Sequence, residues 1–396
     1  MNMPDFPFWL DDLKKDLDER LSQSLYRQLI PSHQQGSTLV REGQSLLNLA
    51  GNDYLALSSH PDIKAAAILA IKQMGTGSGA SKLVTGHSPQ TQALEKTFAA
   101  FKHAQAALLF PTGYMANLGV LTCLTDARDV ICIDKLTHAS LIDAAHASGA
   151  TVRVYPHGNT DKLERLLQRH PHSRRRVIVT DSIFSMDGDI AHLPTLCDLA
   201  QQYNAITVVD EAHGTGILGE HGSGLCELQQ VQERVDIVIS TASKALGSLG
   251  GIVTAKKIVI DALVNHARSL IYTTALPPAI VASIAASLTV ITHEPWRRER
   301  LSKISQQVRD AVMEMGFKLP TSTAATPIIP LITESAESAV ALSSHLNSQG
   351  IHAPAIRPPT VAPNASRVRL SLRCDLEDQQ IDHLIQTLQL WHQQNP

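Results

Sequence analysis

The chain has 396 residues, enough for about two domains, and its 43% hydrophobic and 18% charged residues are typical of a soluble globular protein. A formal net charge of -3 argues against nucleic-acid binding, and the 5 cysteines, with no CxxC pair, argue against a disulfide framework or a zinc ribbon. The histidines show no metal-ligand spacing, no apolar stretch is long enough to cross a bilayer, and the N-terminus lacks the apolar core of a secretory signal. We therefore expect no metal, no nucleic acid and no membrane among its partners, and a cytoplasmic protein.

The first predicted element is an amphipathic helix over residues 9–29. Its apolar residues recur at a spacing of four, with charged residues between them: Trp9, Leu13, Leu17, Leu21 and Leu25. We assign residues 1–49 to an N-terminal helical segment.

Seven apolar runs then alternate with helical patterns, which predicts a large domain over residues 50–292. The runs are residues 106–110, 129–134, 151–156, 175–184, 205–213, 235–241 and 250–255. Nearly continuous apolar strands are typical of a mostly parallel sheet that is buried on both faces by crossover helices. The sequence therefore predicts an α/β fold with a mostly parallel seven-stranded sheet between helices.

The pattern changes near residue 293, which predicts a smaller C-terminal α/β domain over residues 293–396. Its predicted helices are residues 295–315, 335–349 and 375–393, and its predicted strands are residues 327–332, 352–359 and 366–372.

Polar residues with chemical potential follow these strands in the large domain. In chain order they are Thr112, Gly113, Tyr114, His138, Ser185, Asp210, His213 and Lys244. Each has a structural alternative: a loop lysine, a helix-capping histidine, a structural Asp–His hydrogen bond, or a simple turn at residues 185–189. In an open α/β sheet, however, ligands bind outside the carboxyl ends of the strands, so all of these residues are expected at one rim.

This combination of groups suits pyridoxal phosphate. A lysine can hold the cofactor's aldehyde as a Schiff base, a carboxylate can pair with the pyridine nitrogen, and a helix start after Thr112 can bind the phosphate. Asp210 and Lys244 are separated by one predicted strand and a connection, so neighbouring strand ends can present both to one ligand.

Five segments resemble the α-oxoamine synthases, which are pyridoxal-phosphate enzymes of fold type I. They are "DKLTHASLIDAA", "DSIFSMDGDIAHL", "VVDEAHGTGILG", "TASKALGSLGG" and "IYTTALPP", and the resemblance extends over about residues 25–390. It implies a pyridoxal-phosphate-dependent transferase of fold type I. It also implies a homodimer whose active sites are shared between the subunits.

The resemblance implies specific roles around the cofactor. Lys244 matches the Schiff-base lysine and the base that removes the α-proton, and Asp210 matches the partner of the pyridine nitrogen. His138 matches the ring-stacking residue, while His213 and Ser185 match groups near the phenolic oxygen. The phosphate cradle is matched by Thr112, Gly113, Tyr114 and Thr241, with Thr274 supplied by the other subunit.

The resemblance also implies substrate contacts. Arg369 and Asn52 match residues that hold a carboxylate, and Arg27 matches a residue near the acyl substrate. Read without the resemblance, Arg367 and Arg369 are two strand residues of which we expect one to face solvent. Ala80 and Thr91 depart from the family pattern in the glycine-rich segment, which leaves the fine acyl preference open.

Within the family, "AIRPPTV" followed by "SRVRLSL" most resembles members that condense L-alanine with a pimeloyl thioester, carried by CoA or by acyl carrier protein, and release CO₂. The alternative is a glycine C-acetyltransferase, which uses glycine and acetyl-CoA, or another member of the family.

Two other classes fit the sequence less well. A dinucleotide-binding dehydrogenase is suggested by "GTGSGASKLVTG", but its glycines are not spaced G-x-G-x-x-G and no apolar strand precedes them. A non-catalytic relative of the pyridoxal-phosphate enzymes would be expected to lack Lys244 or Asp210, and both are present.

Overall fold

The computed structural model describes residues 8–23, 25–320, 322, 324–362 and 364–395. Its N-terminal elements are helix α1 (Phe8–Ser22) and strands β1 (Ser32–Gln35), β2 (Thr38–Arg41) and β3 (Gln44–Asn48). The predicted helix over 9–29 therefore ends earlier, at Ser22, and the sequence prediction missed the three antiparallel strands that follow it. The predicted apolar stripe is exposed along α1, where Trp9 keeps 61% of its surface in solvent.

The large sheet and its helices follow. The elements are α2 (Pro61–Met74), a π-helical turn (Lys82–Gly86), α3 (Pro89–Phe101), β4 (Ala106–Phe110), α4 (Gly113–Leu124), β5 (Val130–Asp134), α5 (Ala139–Ala147), β6 (Thr151–Tyr155), α6 (Thr160–Gln168), β7 (Arg176–Asp181), α7 (Leu193–Tyr203), β8 (Ala205–Asp210), α8 (Leu225–Leu228), β9 (Ile237–Thr241), β10 (Gly251–Ala255), α9 (Lys257–His266), α10 (Arg268–Ile271) and α11 (Pro278–His293).

The predicted seven-stranded sheet is confirmed, in the order β4-β10-β9-β8-β7-β5-β6. All neighbouring strands are parallel except β10, which runs antiparallel to both β4 and β9. Strand residues alternate between two cores: Val130 and Cys132 pack on one side of the sheet, while Ile131 and Ile133 pack on the other. Burial on both faces explains why the apolar runs are continuous rather than alternating.

The C-terminal elements are α12 (Trp296–Glu314), β11 (Ile328–Glu334), α13 (Ala336–Ser348), β12 (Ile351–His352), β13 (Ala355–Ile356), β14 (Ser366–Ser371) and α14 (Asp378–Gln394). Strands β11, β14 and β13 form an antiparallel sheet, and β12 pairs in parallel with β3. The single strand predicted over 352–359 is thus two short strands in two different sheets. None of the described helices is long and apolar enough to cross a membrane.

Two features of this arrangement position the site. The carboxyl ends of β7 and β8 lie in register, because Asp181 pairs with Asp210 across the sheet. Strand β14 of the C-terminal part faces the loop that follows β7, where Arg369 donates a hydrogen bond to the Ser185 carbonyl at 2.6 Å.

Candidate active site

A cavity of about 250 Å³ lies at the carboxyl ends of the parallel strands. Eight of the predicted site residues line it: Thr112, Gly113, Tyr114, His138, Asp210, His213, Thr241 and Lys244. Three further lining residues were not predicted, namely Asn117, Ser140 and Asp181. The structure thus brings together groups that are more than 100 residues apart in the chain, such as Thr112 and Lys244.

Lys244 and His213 are in direct contact, with 2.7 Å between Lys244 Nζ and His213 Nε2. Burial lowers the pKa of Lys244 to about 8, and the positive charge of Arg369 acts in the same direction while Asp210 and Asp181 oppose it. Burial, together with Lys244 and Arg369, also lowers the pKa of His213 well below its ordinary value. The amine is therefore available in its neutral, nucleophilic form near neutral pH.

This pKa predicts how the apo-protein captures an aldehyde. The rate of reaction with pyridoxal phosphate should rise with pH and level off above a midpoint near 8, because deprotonation exposes the lone pair of Lys244. Stopped-flow absorbance measures this rate. Free Nα-acetyl-lysine is the control, and its rate should keep rising toward its own pKa of about 10.4. A protein profile that follows the control would contradict the lowered pKa.

Asp210 is held by two donors at the end of β8. Asn117 Nδ2 donates to Oδ2 at 2.8 Å, and the Ala212 backbone N–H donates to Oδ1 at 2.8 Å. Asn117 also donates to Ser140 Oγ at 2.7 Å, so one side chain of α4 connects Asp210 with the start of α5. A carboxylate fixed in this way can accept a proton-bearing ring nitrogen without reorganising.

His138 is both a helix cap and a cavity residue. Its Nδ1 accepts from the Ser140 backbone N–H at 3.3 Å and lies 2.7 Å from Ser140 Oγ, so the capping interpretation is correct. Its backbone N–H donates to Asp181 Oδ2 at 3.1 Å. The ring nevertheless lines the cavity, and burial lowers its pKa.

The start of α4 forms a cradle for an anion. Thr112 caps the helix by accepting from the Met115 backbone N–H at 3.1 Å, which leaves the first N–H groups of the helix free for a ligand. Gly251 packs against this turn so closely that a Cβ there would lie 2.4 Å from the Thr112 carbonyl oxygen. Thr241 lies on the other side, 3.5 Å from where a Gly113 Cβ would be.

Arg369 and Asn52 form a pair, with 3.2 Å between Arg369 Nη2 and Asn52 Oδ1. The sequence prediction missed Tyr54, whose hydroxyl lies 3.1 Å from Asn52 Oδ1 and 2.7 Å from His213 Nδ1. Tyr54 therefore connects the Arg369–Asn52 pair with the His213–Lys244 pair. Burial raises the pKa of the Tyr54 hydroxyl, which keeps it a neutral hydrogen-bonding group.

The expectation that either Arg367 or Arg369 faces solvent is wrong. Both side chains are buried, because residues two apart on a strand point to the same face of the sheet. Arg367 Nη1 pairs with Asp187 Oδ1 at 2.6 Å, and Arg369 binds Asn52 and the Ser185 carbonyl. The two arginines thus hold the loop that follows β7.

Two predicted residues lie outside the cavity. Arg27 is exposed, and its Nη2 lies 3.4 Å from Thr360 Oγ1. Thr274 is also exposed and forms an isolated bridge with Ser81. Their predicted roles, of which that of Thr274 involves a second subunit, stay predictions.

The cavity's donor set fits pyridoxal phosphate. It offers an amine for the aldehyde, a carboxylate for the ring nitrogen and a helix start for the phosphate. Asn117 Oδ1 and Asp181 Oδ1 are buried and have no hydrogen-bond partner among the described residues, as expected of groups that await a ligand. Within the same part of the chain, no cluster of three or more histidine, cysteine or acidic residues could hold a metal ion.

Comparisons with known proteins agree with this site. The family profile "Aminotransferase class I and II" matches residues 44–388. The 8-amino-7-oxononanoate synthase of Geobacter sulfurreducens is 41% identical over 373 residues, which cover 93% of this chain and 95% of that protein.

Solved structures superpose over most of the chain. A serine palmitoyltransferase from S. paucimobilis, solved with bound PLP, has a TM-score of 0.92 and 26% identity over 99% of both chains. An 8-amino-7-oxononanoate synthase from Francisella tularensis has a TM-score of 0.77 and 28% identity over 88% of this chain and 97% of that one. These superpositions confirm the predicted fold.

Proposed function

Because the chain belongs to the class I and II aminotransferase family, we propose that it is a pyridoxal-phosphate enzyme that condenses L-alanine with a pimeloyl thioester, in the manner of an 8-amino-7-oxononanoate synthase. The products are 8-amino-7-oxononanoate, CO₂ and a free thiol, a step of biotin biosynthesis. The observation that carries the proposal is 41% identity to a synthase of this name over nearly the full length of both chains. The cavity supplies the chemical groups that the reaction needs.

When bound, pyridoxal phosphate supplies an aldehyde that captures amines and a ring that accepts the electrons of a carbanion. Lys244 holds the cofactor, and Asp210 stabilises a positive charge on its ring nitrogen. The start of α4 after Thr112 and the Thr241 side chain bind its phosphate. His138 covers the cavity from the start of α5.

The amino acid is oriented by its carboxylate. Arg369 offers a planar fork of donors, and Asn52 adds an amide from the segment that precedes α2. Lys244, once free of the cofactor, takes the α-proton at its Nζ, since its lowered pKa leaves the amine neutral near pH 8. His213, 2.7 Å away, orients this amine and is itself held by Tyr54.

We further propose a homodimer. The exposed apolar stripe of α1 supports it, since Leu13, Leu17 and Leu21 each keep 45% or more of their surface in solvent. In such a dimer, Thr274 of one subunit contacts the phosphate in the other, and Arg27 lies near the acyl substrate. The cytoplasmic location expected from the sequence also stays a prediction.

A substrate matrix tests the proposed reaction. L-alanine, glycine and L-serine are each combined with pimeloyl-CoA, pimeloyl-acyl carrier protein, acetyl-CoA and palmitoyl-CoA, and thiol release and product mass are measured. We expect alanine with a pimeloyl thioester to give the highest kcat/KM, by at least about tenfold over glycine, because one buried methyl group discriminates by roughly that factor. Faster turnover of glycine with acetyl-CoA would instead identify an acetyltransferase, and faster turnover of serine with palmitoyl-CoA a palmitoyltransferase.

A further inference from the structure

The cavity contains a second acidic residue that neither the sequence prediction nor the proposed reaction uses. Asp181 ends β7 directly beside Asp210 at the end of β8, and the two are register partners. Strands lie about 4.8 Å apart, so the two carboxyl groups lie side by side. Both are buried, with 4% and 7% of their surfaces exposed, and both line the cavity.

The two carboxyl groups are bonded differently. Asp210 receives one donor on each oxygen, from Asn117 and from the Ala212 backbone. Asp181 receives a single donor on Oδ2, the His138 backbone N–H. Its Oδ1 is buried and has no partner among the residues that the structure describes. An ionised carboxylate in that position would leave one charged oxygen unsatisfied, at a substantial cost in stability.

The charges around Asp181 favour a proton on it. Burial raises the pKa of Asp181 well above its ordinary range, and the neighbouring Asp210 and the more distant Asp134 add to this effect. Lys244 and the His138 backbone N–H act in the opposite direction but do not cancel it, and Tyr155, a buried tyrosine on β6, also faces Asp181. Where two neighbouring carboxyl groups have such different surroundings, one stays ionised while the other holds a proton.

We propose that Asp181 is a further cofactor-binding residue, which acts as a neutral carboxylic acid: Oδ2 accepts from the His138 backbone, and the proton on Oδ1 is donated to an oxygen acceptor of the bound cofactor. Asp210 is then the single anion that faces the ring. Asp181 also fixes the position of His138 on the opposite side of the cavity. The proposal rests on the proposed function only for the identity of the cofactor, because no acyl or amino-acid substrate enters it.

Two substitutions separate a neutral acid from a carboxylate. Asp181→Asn keeps one acceptor and one donor but cannot carry a negative charge, whereas Asp181→Ala removes both hydrogen bonds. The affinity of each variant for pyridoxal phosphate is measured by absorbance titration of the apo-protein. The pH midpoint of the visible band is measured on the holoenzyme. Asp236→Asn is the matched control, since Asp236 accepts hydrogen bonds from Thr207 at the opposite edge of the same sheet.

We expect Asp181→Asn to bind pyridoxal phosphate within about threefold of wild type with an unchanged pH midpoint, and Asp181→Ala to bind at least about tenfold more weakly, the effect of losing one buried hydrogen bond. The proposal is overturned if Asp181→Asn binds as weakly as Asp181→Ala and lowers the midpoint, since Asp181 would then act as an anion. It is also overturned if Asp181→Ala binds like wild type. Thermal unfolding of the apo-proteins shows whether each variant folds, and Asp181→Ser replaces the alanine variant if that one does not.

Failure of the proposed function is visible separately. If the wild-type protein develops no visible band with pyridoxal phosphate, both the cofactor assignment and the role of Asp181 are wrong. If the band forms but alanine and pimeloyl thioesters do not react, only the reaction is wrong, and the comparison of the Asp181 variants still decides the role of this residue.

Discussion

Replacing Lys244 by alanine is expected to abolish the visible absorption of the protein with pyridoxal phosphate and to lower kcat/KM by at least about 10³-fold. Lys244 Nζ is the amine of the cavity that lies against His213 Nε2, at 2.7 Å, and its pKa is lowered to about 8. Without it, nothing in the cavity can form the Schiff base or accept the α-proton at the same place. The loss should therefore exceed that of any other single substitution in the cavity.

The measurement combines an absorption spectrum with steady-state kinetics on alanine and pimeloyl-CoA. Lys256→Ala is the control, because Lys256 is exposed at the start of α9 and should leave both readouts unchanged. A Lys244→Ala protein that keeps the visible band in the same position would show that another amine holds the cofactor. That result would remove the central assignment of the site.

The sheet was predictable because its physics is written locally. Each strand of the large sheet is buried on both faces, so its residues form an unbroken apolar run, and observed strands such as β4 and β9 lie within the predicted runs. Strand β1 was missed because its residues, Ser32–Gln35, are polar and exposed and carry no alternating pattern. Helix α1 ends at Ser22 although the apolar spacing continues to Leu25, since an exposed stripe has no packing to extend it.

The site was predictable only where function and strand ends coincide. Lys244, Asp210 and His138 directly follow apolar runs, so the topology itself places them at one rim. Tyr54 follows no such run: its partners His213 and Arg369 are 159 and 315 residues away, and only the folded chain brings them together. Asp181 looked like the end of a strand, and its unpartnered oxygen is visible only once its neighbours are known.

Replacing Asp210 by asparagine is expected to lower the rate of α-proton removal by about 10²–10³-fold while leaving the protein folded and able to bind the cofactor. The amide is nearly isosteric, so Asn117 and the Ala212 backbone still have an oxygen to bind. It carries no charge, however, and cannot stabilise a positive ring nitrogen, on which the electron-accepting power of the cofactor depends.

Proton removal can be followed without the acyl substrate. Exchange of the α-proton of L-alanine in deuterated water, measured by NMR, reports this step alone, so a wrong assignment of the thioester does not affect it. Asp198→Asn provides the control, since Asp198 pairs with Arg234 on the surface with 69% of its side chain exposed. Exchange at the wild-type rate in Asp210→Asn would mean that another group pairs with the ring nitrogen, and Asp181 would be the first to test because it lies beside Asp210 in the same cavity.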